Sequence, residues 1–346
     1  MRRVVATGPF VGHTRPVERL IAGLVGRGHA VTWYTGADWE ARATALGAGF
    51  LAMDPMAVAL VQKPGACPLD QHVTEAVRVA PIQARDFERA AVDADAVLAD
   101  PITLGPQRWA REQGIPAVVL GIVPALYVDA TVDLYLQYCV DGFEYPRPDV
   151  PQLCPVGPLL PLPEPWEAPA WWPERPTRPI VAVVQGTLDT DPTKLVAPAV
   201  EALAGMPELD GIVVGDVPGS LPPNVHAAPW IPYERLLSVA GVLVTNGGYG
   251  GVTMAYTAGV PVIVAGTLDD KTQVGERVEW AGIGLDLKDE RPTPEALREA
   301  IKRVATTPRF VERAREFAGR AARTDAVATT VFLVEQLVRE RQRQVA

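Results

Sequence analysis

The sequence predicts an α/β protein made of two consecutive parallel-sheet halves. Three observations carry this. Short, uniformly apolar stretches recur, each followed by a polar or glycine-bearing loop and then by a helix-periodic segment. Strands joined by crossover helices give this alternation, which implies parallel pairing and right-handed connections. The 346 residues exceed one ordinary domain and suit two of roughly 100–200 residues each. A proline-dense stretch, 145–179, separates the two series.

In the first half, 3–7 reads as a strand that stops at Gly8-Pro9. The loop to Arg15 precedes a helix over 16–27, because proline suits a first helical turn. Val17, Leu20, Ile21, Leu24 and Val25 share one face of that helix. Gly28 is placed to cap it, and 30–34 forms the next strand. Residues 96–99 form a buried strand ending at Asp100-Pro101, 105–113 a helix, 115–121 a strand and 133–137 a short strand. The prolines of 145–179 exclude a regular element there, and Trp166, Trp171 and Trp172 suggest a linker packed down by its aromatics.

The second half opens with a strand over 180–184, a polar loop over 185–193 and a helix over 194–205. Strands follow at 211–214, 241–245, 260–265 and 283–287, with helices at 233–239, from the 247–251 turn to about 258, at 272–281 and at 294–305. The tail, 308–341, is helical with a break near Thr324-Asp325. The expected division is a domain over 1–154, a linker over 155–178, a domain over 179–322 and a C-terminal helix over 323–346 that packs back on the first domain.

Composition narrows the function. With 48% apolar and 21% charged residues the chain is globular. A net charge of -9 argues against a nucleic-acid partner, which selects for a basic face. No apolar run is long enough to span a membrane, and the apolar part of the N-terminus is too short for a signal peptide. Cys67, Cys139 and Cys154 are too scattered for a metal knuckle or a redox pair, so reduced thiols in a cytoplasmic protein are expected.

Ligands of open parallel sheets bind beyond the carboxyl ends of strands. Four groups of residues stand there. His13 follows the first strand, and a neutral imidazole takes a proton from a hydroxyl near pH 7. Asp100 ends the 96–99 strand, where it would either orient His13 or cap the following helix. Asn246-Gly247-Gly248-Tyr249-Gly250-Gly251 is a glycine-rich strand-to-helix turn whose amides can approach a phosphate. Gly186-Thr187 is a shorter turn of the same kind, and Trp230 stands in a rigid loop where it would stack a base or join the core. Asp189-Thr190-Asp191 has a metal-binding look, but two aspartates ahead of a helix are ordinarily caps, and no metal is assigned. His29, behind a helix-capping glycine, reads as structural.

Together these pieces resemble the UDP-glycosyltransferase superfamily with its two-domain GT-B fold, and within it the bacterial enzymes that decorate macrolides and polyketides. The resemblance rests on Gly12-His13-x-x-Pro16 with Gly28-His29-Ala30-Val31-Thr32, Phe143 to Arg147 with Val156-Gly157-Pro158, Gln185-Gly186-Thr187, Trp230-Ile231-Pro232, Asn246 to Gly251, Ala258 to Pro261 and Asp270-Lys271. It implies two Rossmann-like domains facing across a cleft. It also implies inverting, metal-independent transfer of a hexose from a UDP- or dTDP-sugar to a hydroxyl of a small acceptor such as a polyketide, macrolide or flavonoid. His13 would be the base, with Asp100 behind it. Gly12, Thr14, Gly186, Thr187, Trp230, Ile231, Asn246, Gly247, Gly248, Gly250, Gly251, Asp270 and Lys271 would hold the donor, and no cofactor or metal is implied.

The sequence departs from that pattern at four donor positions. Asn246 stands for a histidine, Met254 for a glutamate, and Lys271 and Tyr233 for glutamines. Lys271 would pair with a phosphate or an acidic sugar, or stand solvated at a helix start. After Gly121-Ile122-Val123-Pro124 the acceptor-lining helices are shortened. That opens the acceptor side to a bulky substrate, to a wall from a second copy in a homodimer, or to loss of transfer. A non-catalytic nucleotide-sugar binder or helper subunit is the alternative reading.

Overall fold

The computed structural model describes residues 1–62, 68–126, 131–186, 188–217 and 219–345. The chain divides into two compact units. Unit 1 comprises Met1–Asp141, Pro146–Leu162 and Thr324–Ala346, and unit 2 comprises Gly142–Tyr145 and Pro163–Arg323.

Unit 1 runs β1 (Arg2–Ala6), α1 (Val11–Gly26), β2 (Ala30–Thr35), α2 (Glu40–Ala45), β3 (Gly49–Ala52), α3 (Pro55–Val61), α4 (Leu69–Arg89), β4 (Ala96–Ala99), α5 (Leu104–Glu112), β5 (Ala117–Gly121), β6 (Leu134–Gln137) and β7 (Leu153–Pro155). All seven strands are parallel in the order β3-β2-β1-β4-β5-β6-β7. Unit 2 runs β8 (Ile180–Val184), α6 (Val196–Ala204), β9 (Asp210–Val214), β10 (Val225–Ala228), α7 (Tyr233–Val239), β11 (Val242–Thr245), α8 (Tyr249–Thr257), β12 (Val262–Val264), α9 (Lys271–Ala281), β13 (Gly284–Asp286), α10 (Pro294–Thr306) and α11 (Pro308–Ala321). Its strands are parallel in the order β10-β9-β8-β11-β12-β13. The last helix, α12 (Ala326–Val345), belongs to unit 1.

Parallel strands buried on both faces read as continuous apolar runs, and β1 shows why. Val5 joins a core with Leu20, Ile21 and Leu24 of α1 and Val331, Val334 and Val338 of α12. Its neighbours Val4 and Ala6 point the other way, into a core with Phe87 of α4 and Trp109 of α5. In unit 2, Val181 and Val183 of β8 pack with Ala199 and Leu203 of α6 and Leu297 and Ile301 of α10.

Several boundaries differ from the sequence expectation. Helix α1 starts at Val11, not Pro16, because the Phe10 carbonyl accepts the N–H of both His13 and Thr14 at 2.9 Å. Pro16 then costs only the bond to the Gly12 carbonyl, which lies at an exposed residue. The segment between 35 and 95, given no element above, holds α2, β3, α3 and α4. Helix α4 is hard to see because Pro81 interrupts it and Gln83 and Asp86 stand on its buried face. Strand β10 was also missed. Inside the proline-dense stretch, β7 pairs with β6 at the sheet edge, where Pro155 ends the strand.

Within the stretch 155–178, residues to Leu162 fall in unit 1 and those from Pro163 in unit 2. Its tryptophans do pack down. Trp166 and Trp172 meet edge to face at 4.8 Å, and Trp171 stacks on His226 at 4.9 Å. Between β5 and β6, the described residues of 122–133 contain no helix. Such a span is close to the shortest, about a dozen residues, that returns a chain to a parallel neighbour. Among the described residues no helix is long and apolar enough to cross a membrane.

Candidate active site

In each unit the strand order reverses once, between β1 and β4 and between β8 and β11. At such a reversal the loops part on opposite faces and leave a crevice at the carboxyl ends. The sequence-singled residues fall at these two places.

In unit 1, Ala6 and Ala99 are in register, so Thr7 and Asp100 leave the sheet side by side. Asp100 is fully buried. Its Oδ1 accepts from the N–H of Thr103 at 2.8 Å and of Ile102 at 3.2 Å, closing the turn into α5. Its Oδ2 accepts from the Gly8 N–H at 2.7 Å and lies 2.7 Å from His13 Nδ1. Gln107 donates to the Asp100 carbonyl at 2.8 Å. Burial pushes the Asp100 carboxyl up, but the His13 charge and the hydrogen bonds from His13, Thr103 and Gly8 outweigh it and hold it below the ordinary carboxylate range. An ionised Asp100 fixes the proton on Nδ1 and leaves the Nε2 lone pair available. The His13 side chain keeps 16% exposure, enough to meet a substrate.

Two neighbours behave differently. Gly12 is exposed, with no atom within 4 Å of the space a Cβ would take. Thr14 is fully buried and its hydroxyl donates to the Phe10 carbonyl at 2.9 Å. With its N–H on the same carbonyl, Thr14 serves the helix start.

In unit 2, Thr245 pairs with Val184, so Asn246 and Gln185 emerge together. Gly186 has φ +104°, and a Cβ there would lie 2.8 Å from Asn246 Nδ2. Thr187 lies outside the described residues. Gly247 has φ +95°, and a Cβ on it would lie 2.6 Å from Val264 Cγ1. Gly248 caps α8, whose first internal bond runs from Val252 N–H to the Gly248 carbonyl at 3.1 Å. The N–H groups of Gly250 and Gly251 therefore have no acceptor in the helix. Gly250 is exposed with nothing near it, and Tyr233 packs beneath Gly251. Unsatisfied backbone N–H groups at a glycine-rich helix start are the kind of arrangement that can receive an anion.

Trp230 is 46% exposed, while Ile231 is buried. Asp270 occupies the N-cap position of α9 with no side-chain capping bond and is partly exposed. Lys271 is not a solvated helix-start lysine: it is buried, and its Nζ lies 2.5 Å from Asp269 Oδ2. Met254 is partly buried in α8. The Asp189-Thr190-Asp191 carboxylates are taken by cations, Asp189 by Lys194 and Asp191 by Arg291. Among the described residues no group of three or more His, Cys, Asp or Glu is placed to hold a metal.

Sequence reasoning missed the residues that support these groups. Gly8 and Thr103 hold Asp100 through backbone N–H groups, which leave no mark in residue identity. Glu144 and Arg277 form a buried pair across a long sequence separation, which no local pattern reveals.

Residues 206–335 match the family described as erythromycin biosynthesis protein CIII-like, C-terminal domain. The 4'-demethylrebeccamycin synthase of Lentzea aerocolonigenes is 41% identical over 216 residues, which are 60% of this chain and 51% of that protein. The chain spans about half the length of the curated relatives it matches. The calicheamicin glycosyltransferase CalG4 is 25% identical, with a TM-score of 0.77 over 97% of both chains. The spinosyn rhamnosyltransferase SpnG, complexed with thymidine diphosphate, is 19% identical, with a TM-score of 0.81 over 97% of this chain and 100% of that one. Residues 206–335 are thus similar to an EryCIII-like C-terminal domain, and the two parallel-sheet units share the fold of these glycosyltransferases.

Proposed function

We propose that the protein transfers a sugar from a nucleoside-diphosphate sugar to a hydroxyl of a small hydroxylated acceptor, with inversion at the anomeric carbon. The observation that carries this is the 2.7 Å contact between His13 Nδ1 and the buried Asp100 carboxylate at the β1/β4 reversal. His13 Nε2 takes the acceptor proton as the hydroxyl oxygen bonds to the anomeric carbon. The bond from that carbon to the diphosphate oxygen breaks, and the nucleoside diphosphate leaves. Asp100 offsets the imidazolium that forms.

The leaving diphosphate gains negative charge, which the Gly250 and Gly251 amides and the positive end of α8 stabilise. Asn246 and Gly186 flank that position, and Trp230 offers a face for the base. Asp270, at the start of α9, holds sugar hydroxyls.

The test is a panel of UDP-, dTDP- and GDP-sugars with varied hydroxylated acceptors, run on the natural protein and on His13→Ala. Glycoside formation is expected only with the natural protein, while both bind nucleotide. Unchanged turnover in His13→Ala overturns the base assignment. Nucleotide binding without product across the panel favours a non-catalytic binder.

A further inference from the structure

Within residues 247–251 four glycines leave Tyr249 as the one side chain by which the turn can be held. Glycine is costly to order, so a cradle of amides needs an outside anchor to keep its N–H groups aimed. Tyr249 is buried at the first position of α8, and its hydroxyl donates to Glu144 Oε1 at 3.1 Å. Glu144 Oε2 accepts from Arg277 Nε at 2.7 Å. Arg277 belongs to α9, which begins at Lys271. Its Nη1 donates to the Gln273 carbonyl at 2.9 Å, and its guanidinium lies 4.7 Å from the Tyr145 ring centre.

Phe143 seats the same segment, with ring distances of 5.6 Å to Tyr249 and 5.0 Å to Tyr256. Both charges are nearly dry, with side-chain exposures of 3% for Arg277 and 6% for Glu144. A buried ion pair gains little net stability, because desolvation offsets its attraction, so orientation is the stronger reason for this one.

We propose that Glu144 is a positioning residue for the donor. Through Tyr249 and Arg277 it fixes the first turn of α8 to the middle of α9, so the diphosphate meets amides already in place. The inference rests on the reading of the 247–251 turn as the diphosphate cradle.

The test compares the natural protein with Tyr249→Phe, Glu144→Gln and the double variant. Calorimetric titration with UDP and dTDP is set beside uridine and thymidine, which lack phosphate. Tyr249→Phe removes one hydroxyl and keeps the ring packing, so it folds. Each single variant is expected to weaken diphosphate binding about 10-fold, or about 1.4 kcal/mol, with nucleoside binding and acceptor KM unchanged. The double variant is expected to be no weaker than the weaker single, because both act through one contact. Equal loss of nucleoside and diphosphate affinity, or no loss of either, overturns the positioning role. A natural protein that binds nucleosides but gains nothing from the diphosphate overturns the cradle reading itself.

Discussion

Asp100 divides its carboxylate between two tasks, holding His13 Nδ1 with Oδ2 at 2.7 Å while Oδ1 closes the turn into α5. The sequence left those tasks as alternatives, and the structure gives each its own oxygen. The partition favours one tautomer of His13, because the turn and the Gly8 amide hold the carboxylate still.

Asp100→Asn keeps the shape but not the charge, so an imidazolium at His13 loses its countercharge. Turnover is expected to fall by about 10²–10⁴-fold, the usual share of general-base catalysis. Nucleotide affinity should stay within a factor of about two, since Asp100 touches no donor-binding residue. Steady-state kinetics with calorimetry checks both, and natural turnover in this variant removes Asp100 from the mechanism.

Gly247 and Gly250 separate the structural use of glycine from the functional one. Gly247 has φ +95° and no room, with Val264 Cγ1 2.6 Å from a built Cβ. Gly247→Ala is therefore expected to lower stability by about 1–3 kcal/mol, measured by thermal unfolding. Gly250 is open, with nothing within 4 Å. Gly250→Ala should leave the melting temperature unchanged yet weaken diphosphate binding, because the added methyl stands where phosphate approaches. Natural diphosphate affinity in Gly250→Ala counts against phosphate contact at this amide.

The groups at the strand ends were legible because a parallel sheet sends its carboxyl ends to one edge, so residues after β1, β4, β8 and β11 were singled out together. The sequence could not show which strands are neighbours. The β1/β4 and β8/β11 adjacencies that join His13 to Asp100 and Gly186 to Asn246 come from pairing across long separations. Helix α4 hid behind Pro81 and two buried polar residues, Gln83 and Asp86, which are satisfied by the Gly105 N–H and the Tyr34 hydroxyl. The tight seat of Gly105 against α4 is another long-range fact: a Cβ there would lie 2.5 Å from the Ala80 carbonyl.

Lys271 and Asp269 form a pair with side-chain exposures of 7% and 11%, beside the glycine turn. Asp269 sits at φ +54°, an uncommon conformation for a residue with a side chain. Asp269→Asn leaves the buried ammonium without its countercharge and should cost about 3–5 kcal/mol, whereas Asp269→Asn with Lys271→Met should recover most of it. Thermal unfolding of the two variants checks this. A single variant within about 0.5 kcal/mol of the natural protein means the pair is solvated in solution.

His29 gives unit 1 a pH dependence whose sign is fixed. Its Nε2 lies 3.0 Å from Glu335 Oε1 on α12, and its buried Nδ1 has no hydrogen-bond partner among the described residues. Burial, then the charges of Arg3 and the N-terminal amine, push its pKa below the ordinary 6.5, and Glu335 opposes them without prevailing. The folded protein therefore holds this proton less readily than the unfolded chain. The unfolded chain gains protons first as pH falls, so stability is complete above about 6.5 and declines below it. His29→Gln keeps a donor toward Glu335 but cannot titrate. Between pH 7.5 and 5 the natural protein's melting temperature should fall more steeply than that of His29→Gln, and parallel profiles would show that His29 is protonated as easily folded as unfolded.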